Sequence, residues 1–122
     1  MAVNILVVDD LAFIKLLLKD LLEKAGFRVV GEASDGEEAL RQYQDKRPDV
    51  VLMDITMPKM DGLTTLRKIL QIDPQANVIM CSALGQQKLI VQAIQLGAKD
   101  FIVKPFRPER VVSAIKKALN FQ

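Results

Sequence analysis

Asp9 and Asp10 stand side by side at the end of the apolar run ILVV, residues 5–8. Asp54 ends the run VVLM, Ser82 ends VIMC, and Lys104 follows FIV. Three clustered carboxylates cannot all stay ionised cheaply without a cation. An all-oxygen ligand set suits a hard ion, and Mg²⁺ typically takes one or two carboxylates, several waters and phosphate oxygens. A lysine ammonium can act as a point charge on a phosphate oxygen, a serine hydroxyl can donate to another, and a carboxylate can itself attack phosphorus to give an acyl phosphate. Together these residue types suggest magnesium-dependent phosphoryl chemistry, in which the protein's task is positioning and charge neutralisation. The chain has no histidine. That removes Ser-His-Asp and Cys-His catalysis, imidazole zinc sites and service as a phosphohistidine carrier.

These residues share a site only if the fold brings the ends of four apolar runs to one rim. VNILVVD reads as a strand buried on both faces. Ile14, Leu17, Leu18, Leu21, Leu22 and Ala25 then recur at helical spacing, with Lys15, Lys19, Glu23 and Lys24 opposite and Gly26 as the stop. RVVGEA reads as a strand and GEEALRQYQDK as a helix ended before Pro48. DVVLMD is a third strand, MPKMDG a loop, and LTTLRKILQI a helix broken at Asp73-Pro74. NVIMCS, QQKLIVQAIQL, DFIVK and PERVVSAIKKAL complete five strand–helix units. Such alternation implies an α/β fold: a doubly wound parallel sheet of five strands with helices on both faces and right-handed crossovers. Sites in such sheets form at the carboxyl ends of the strands, which is where Asp9, Asp10, Asp54, Ser82 and Lys104 fall.

Each residue also has an ordinary structural reading. Asp10 could cap the first helix, Asp54 could open the MPKMDG turn, though Asp61 before Gly62 suits that better, and Ser82 and Lys104 could be a loop hydroxyl and a solvated amine. Four strand ends supplying complementary groups weigh against all of these holding at once.

The segments LVVDD, VVLMDITMPKMDG, IMCSA and DFIVKPF, in this order and in strand context, resemble a response-regulator receiver domain, and the likeness spans the chain. It is greatest to the single-domain receivers of chemotaxis. The resemblance implies the flavodoxin-like strand order 2-1-3-4-5, which is known for the fold class and is not a deduction from spacing. It implies one receiver domain over 1–122 without an output domain. It makes Asp54 the phosphoacceptor, taking a phosphoryl group from a phosphohistidine of a sensor kinase. Mg²⁺ would be held by Asp10, Asp54 and the carbonyl of Thr56, with Asp9 acting mainly through water. Ser82 and Lys104 would contact the phosphoryl group. Phe101 would be the switch aromatic, and Lys104–Pro105 a cis peptide.

Two departures from the usual family pattern are a serine at 82 instead of threonine and a phenylalanine at 101 instead of tyrosine. Thr56 and Leu84 occupy the positions that tune dephosphorylation in the family. Leu84 cannot hydrogen-bond an attacking water, so slow self-hydrolysis is expected.

The output face implied by the resemblance is formed by the fourth helix, fifth strand and fifth helix. Lys88, Leu89, Gln92, Gln95, Lys99, Arg107, Arg110 and Lys117 are expected to point outward there, making a mildly basic surface for an acidic amphipathic peptide. The implied partners are a chemotaxis histidine kinase, the flagellar motor switch protein and a separate phosphatase. Acceptor switching, rather than substrate turnover, is the implied activity.

A receiver of another phosphorelay, or one excised from a longer regulator, fits the same motifs. A magnesium-dependent aspartyl phosphohydrolase is a further reading, but such enzymes commonly carry their paired aspartates one residue apart after the first strand. A flavin module would need a phosphate loop where DDLAFI stands, and a receiver with a dead site would lack one of the matched residues.

Composition sets the remaining bounds. The 122 residues make one ordinary domain, and 17 basic against 15 acidic residues give a net charge of +2, too balanced to argue for nucleic acid. One cysteine, Cys81, fits a reducing compartment. With no apolar stretch of membrane-spanning length and no leader, a cytoplasmic monomer without membrane insertion is expected.

Overall fold

The computed structural model describes residues 2–120; Met1, Phe121 and Gln122, which the expected domain span of 1–122 includes, lie outside the described residues. Strand and helix alternate as β1 (Asn4–Val8), α1 (Ala12–Lys24), β2 (Arg28–Ala33), α2 (Gly36–Lys46), β3 (Val50–Asp54), α3 (Gly62–Ile72), β4 (Val78–Ser82), α4 (Gln87–Leu96), β5 (Asp100–Val103) and α5 (Pro108–Ala118). The five strands form one parallel sheet in the order β2-β1-β3-β4-β5. None of the described helices is long and apolar enough to cross a membrane.

The sheet separates two cores, as the unbroken apolar strands require. Leu6, Val8, Val51, Met53, Val78 and Met80 face α2, α3 and α4, where Ala39, Tyr43, Leu66, Ile69 and Ala93 meet them. Ile5, Val7, Val50, Leu52, Ile79, Cys81 and Ile102 face α1 and α5, against Leu18, Leu22, Val111, Ala114 and Ile115. Cys81 is a core residue, and its burial pushes the thiol up to about 12.

Capping explains the helix starts. Asp35 accepts from the Glu38 N–H at 2.9 Å while Glu38 reaches back to the Ser34 N–H at 2.8 Å, and Asp61 accepts from Thr64 N–H at 2.8 Å; such caps satisfy donors the helix leaves free. Asp10 does not cap α1. Its first turn starts from Leu11, whose N–H is taken by Asp9 Oδ1 at 2.9 Å.

The face of α1 also departs from the pattern reading. Leu18 and Leu22 are fully buried, and Ile14 and Leu21 pack beside them, but Leu17 is exposed with Phe13 and Leu16, and Ala25 is exposed too. Lys15, expected on the polar side, turns toward β2 and donates to the Ser34 hydroxyl. An apolar stretch this dense satisfies more than one helical stripe, and only packing against the sheet selects which stripe is buried.

Candidate functional site

Parallel register builds the site. Val8 pairs with Met53, Asp54 with Cys81, and Ser82 with Val103. Asp9, Asp54, Ser82 and Lys104 therefore lie within about one residue of the same level along the strands. Main-chain bonds carry the ladder past the strand ends: Asp9 N–H donates to Ala33 O at 3.0 Å, Ile55 N–H to Cys81 O at 2.9 Å, and Lys104 N–H to Ser82 O at 2.8 Å. The acids sit where β1 and β3 part, beside the crevice that open α/β sheets use for ligands.

The β3–α3 loop is held against this rim by Gly62. Its N–H donates to Ile55 O at 3.0 Å. A Cβ at position 62 would stand 2.5 Å from Asp54 O and 2.7 Å from Ile55 Cα. Only a residue without a side chain lets α3 begin this close to the strand that ends in Asp54.

Asp9, Asp10 and Asp54 each offer a carboxylate oxygen, and the three oxygens lie within 4.8 Å of one another. Asp9 is 1% exposed and Asp54 7%, whereas Asp10 is exposed. Lys104 Nζ enters from β5, 3.0 Å from Asp9 Oδ2 and 3.5 Å from Asp54 Oδ1. Burial raises the Asp54 carboxyl above its ordinary value; Lys104 opposes this, and the neighbouring Asp9 and Asp10 add to it. Burial acts to lower the Lys104 ammonium, but the hydrogen bond it donates to Asp9 and the charges of Asp54 and Asp9 outweigh it, and its pKa is raised. One ammonium thus stands against three acids, a deficit of positive charge that a divalent cation would fill.

Ser82 Oγ is fully buried and has no hydrogen-bond partner. An orphaned hydroxyl at this depth carries a desolvation cost, which a partner arriving at the rim would offset. The cluster can coordinate Mg²⁺, and the donor set is the all-oxygen one that ion prefers.

Thr56 is exposed and bends back over Asp54, its N–H donating to Asp54 Oδ1 at 3.4 Å. Leu84 lies in the β4–α4 loop, 82% exposed. Phe101 is half-buried on the face of the sheet that α2, α3 and α4 cover, and lines a shallow apolar pocket of about 390 Å³ with Ala83, Leu84, Ile90, Val91 and Val103. The Lys104–Pro105 bond is cis.

The response-regulator receiver domain model matches residues 5–116. The chain belongs to the response-regulator receiver family. It is 58% identical over 120 residues to chemotaxis protein CheY of Bacillus subtilis, covering 98% of this chain and 100% of that one. It is 53% identical to chemotaxis protein CheY of Thermotoga maritima, covering 96% and 98%. A chain in the crystal structure of the CheX–CheY–BeF3–Mg²⁺ complex from Borrelia burgdorferi superposes with a TM-score of 0.91 at 41% identity, covering 96% of this chain and 89% of that one. The chain is therefore a phospho-accepting receiver domain closely related to CheY-type proteins, with the carboxylate cluster of a phosphoacceptor switch and a place in two-component signalling.

The expected outward surface needs two corrections. Leu89 packs against the core, and Arg110 is tied down by Asp100 at 3.2 and 2.9 Å and by Phe101 O at 2.7 Å. Leu89 is drawn inward by apolar packing, whereas Arg110 stays partly exposed and is held by its ion pair with Asp100. Val91 and Ile94 are exposed in their place. Sequence reasoning also passed over Gly62 as a plain turn residue, and over Gln86, whose side chain bridges two loops of the site. A glycine directly after a capping acid is a weak signal of close approach; nothing in the sequence marks the glutamine.

Proposed function

We propose that Asp54 is the phosphoacceptor of a chemotaxis receiver whose output is a change in the face formed by α4, β5 and α5. The observation that carries this is the convergence of Asp9, Asp10, Asp54, Lys104 and the unpartnered Ser82 hydroxyl on one strand-end rim. Mg²⁺ held by Asp10, Asp54 and the Thr56 carbonyl, with Asp9 behind it, would neutralise charge on the transferring group. An Asp54 oxygen attacks phosphorus of a phosphohistidine. The new P–O bond forms as the P–N bond breaks, and the imidazole leaves with the electron pair and takes a proton. Lys104 holds one phosphoryl oxygen electrostatically, and Ser82 turns from its buried position to donate to another. Phe101 then fills space vacated beside Ser82.

The chain acts as one receiver domain in this reading, with binding as its output. Relatives named chemotaxis protein CheY support a role in chemotaxis; in that role the flagellar motor switch would be the target, a chemotaxis histidine kinase the phosphodonor, and a dedicated phosphatase a further partner. The exposed apolar face of α1, with Leu11 53%, Phe13 71% and Leu16 66% exposed, begins one residue after Asp10. It suits an apolar helix of the kinase domain that carries the phosphohistidine to the site.

Phosphotransfer from a phosphorylated chemotaxis kinase, followed by capture on a motor-switch peptide, tests the reading. Transfer to Asp54 that raises peptide binding supports it. Transfer with no change in peptide binding places the chain in another phosphorelay.

A further inference from the structure

The loops after β3 and β4 are joined by one side chain. Gln86 Oε1 accepts the Ala83 N–H at 2.7 Å, and Gln86 Nε2 donates to Thr56 Oγ1 at 2.9 Å. Ala83 follows Ser82 directly, and Thr56 lies two residues after Asp54. Gln86 is also the residue from which α4 starts, and its side chain caps no N–H of its own helix. The amide is spent on the two loops instead.

Ser82 Oγ is buried without a partner, so donating to a group on Asp54 requires it to move. Its neighbour Ala83 is held by Gln86, and Gln86 in turn by Thr56. We infer that Gln86 is a positioning residue that clamps the β4–α4 loop to the β3–α3 loop in the unmodified protein, and that loading of Asp54 works against this clamp. The inference rests on the reading of Asp54 as acceptor. The clamp consists of two neutral hydrogen bonds near the surface, whereas a phosphoryl oxygen makes the stronger charge-assisted kind. Loading can therefore break the clamp, at a cost in affinity. Because Gln86 starts α4, its release also frees the first turn of that helix, beside the pocket that Phe101 lines.

Two readouts test this. In metal-free protein, amide exchange at Ala83 followed by NMR should be faster in Gln86→Ala than in the parent chain. With Mg²⁺, titration with beryllofluoride as the phosphoryl analogue should show Gln86→Ala binding about threefold to tenfold tighter, the scale of one or two such bonds. A parent chain that binds beryllofluoride while Gln86→Ala binds equally or less tightly would overturn the clamp and leave the acceptor reading standing. Unchanged Ala83 exchange would overturn it as well. A parent chain that does not bind beryllofluoride at all would remove the acceptor reading and the clamp's role with it.

Discussion

Asp54 lies in a local conflict: burial and two neighbouring acids raise its carboxyl, while Lys104 and the Thr56 N–H pull the other way. A folded-state value above the unfolded one means the native state binds the extra proton. Stability therefore falls as pH rises from the unfolded carboxylate range through the raised value, and the full penalty persists at neutral pH. Asp54→Asn should accordingly raise the melting temperature of the metal-free protein at pH 7, and the gain should shrink below pH 4; thermal scans at both pH values check this. Mg²⁺ should stabilise the parent chain, by about 2.7 kcal/mol at a hundredfold excess over its dissociation constant, and the chelator EDTA should reverse it.

Leu84 sits 82% exposed in the β4–α4 loop, where it can neither orient nor activate a water. Leu84→Glu should hydrolyse the aspartyl phosphate several-fold faster, read as decay of the intact-mass adduct; an unchanged lifetime would remove Leu84 from the account. The residue types at these positions were legible from the start, because carboxylates, a hydroxyl and an amine at four strand ends have few other joint uses. The Gln86 bridge was not, because a glutamine carries no signal of its partner until the loops are folded.

Among the elements, the strands and helices were readable because continuous apolar runs and helical stripes alternate with clear stops at Gly26, Pro48, Asp73-Pro74 and Gly97. Which stripe of α1 and α4 would be buried was not, since Leu17, Val91 and Ile94 are as apolar as the residues that do face the core. The cost of a small change at an element junction is greatest at Gly62, where an added Cβ meets the backbone of Asp54 and Ile55 at 2.5 to 2.8 Å. Backbone cannot rotate away as a side chain can. Gly62→Ala should destabilise the fold by roughly 1–3 kcal/mol, the usual cost of forcing extra volume into a packed site, measured by urea unfolding. It should also slow loading of Asp54, because the atom that is pushed belongs to the proposed acceptor.

For the whole molecule, two faces lead away from one rim. The apolar face of α1 begins beside Asp10, and the α4–β5–α5 face begins beside Ser82. A switch that receives on one side and reports on the other needs this arrangement, with the sheet ends between. Phe13→Ser, on the exposed side of α1, should change stability by less than about 0.5 kcal/mol, as exposed substitutions do. It should slow phosphotransfer from the kinase and leave loading by acetyl phosphate unchanged. Equal slowing with both donors would instead place Phe13 in the site and not in docking.

Asp54 is proposed to accept a phosphoryl group with the help of a bound divalent cation. Intact mass spectrometry after incubation with acetyl phosphate and Mg²⁺ tests it most directly. One phosphoryl adduct is expected, lost with EDTA and lost in Asp54→Asn. An adduct that survives Asp54→Asn would mean that another side chain is the acceptor, and no adduct from a chain shown to bind Mg²⁺ would contradict self-loading at this site.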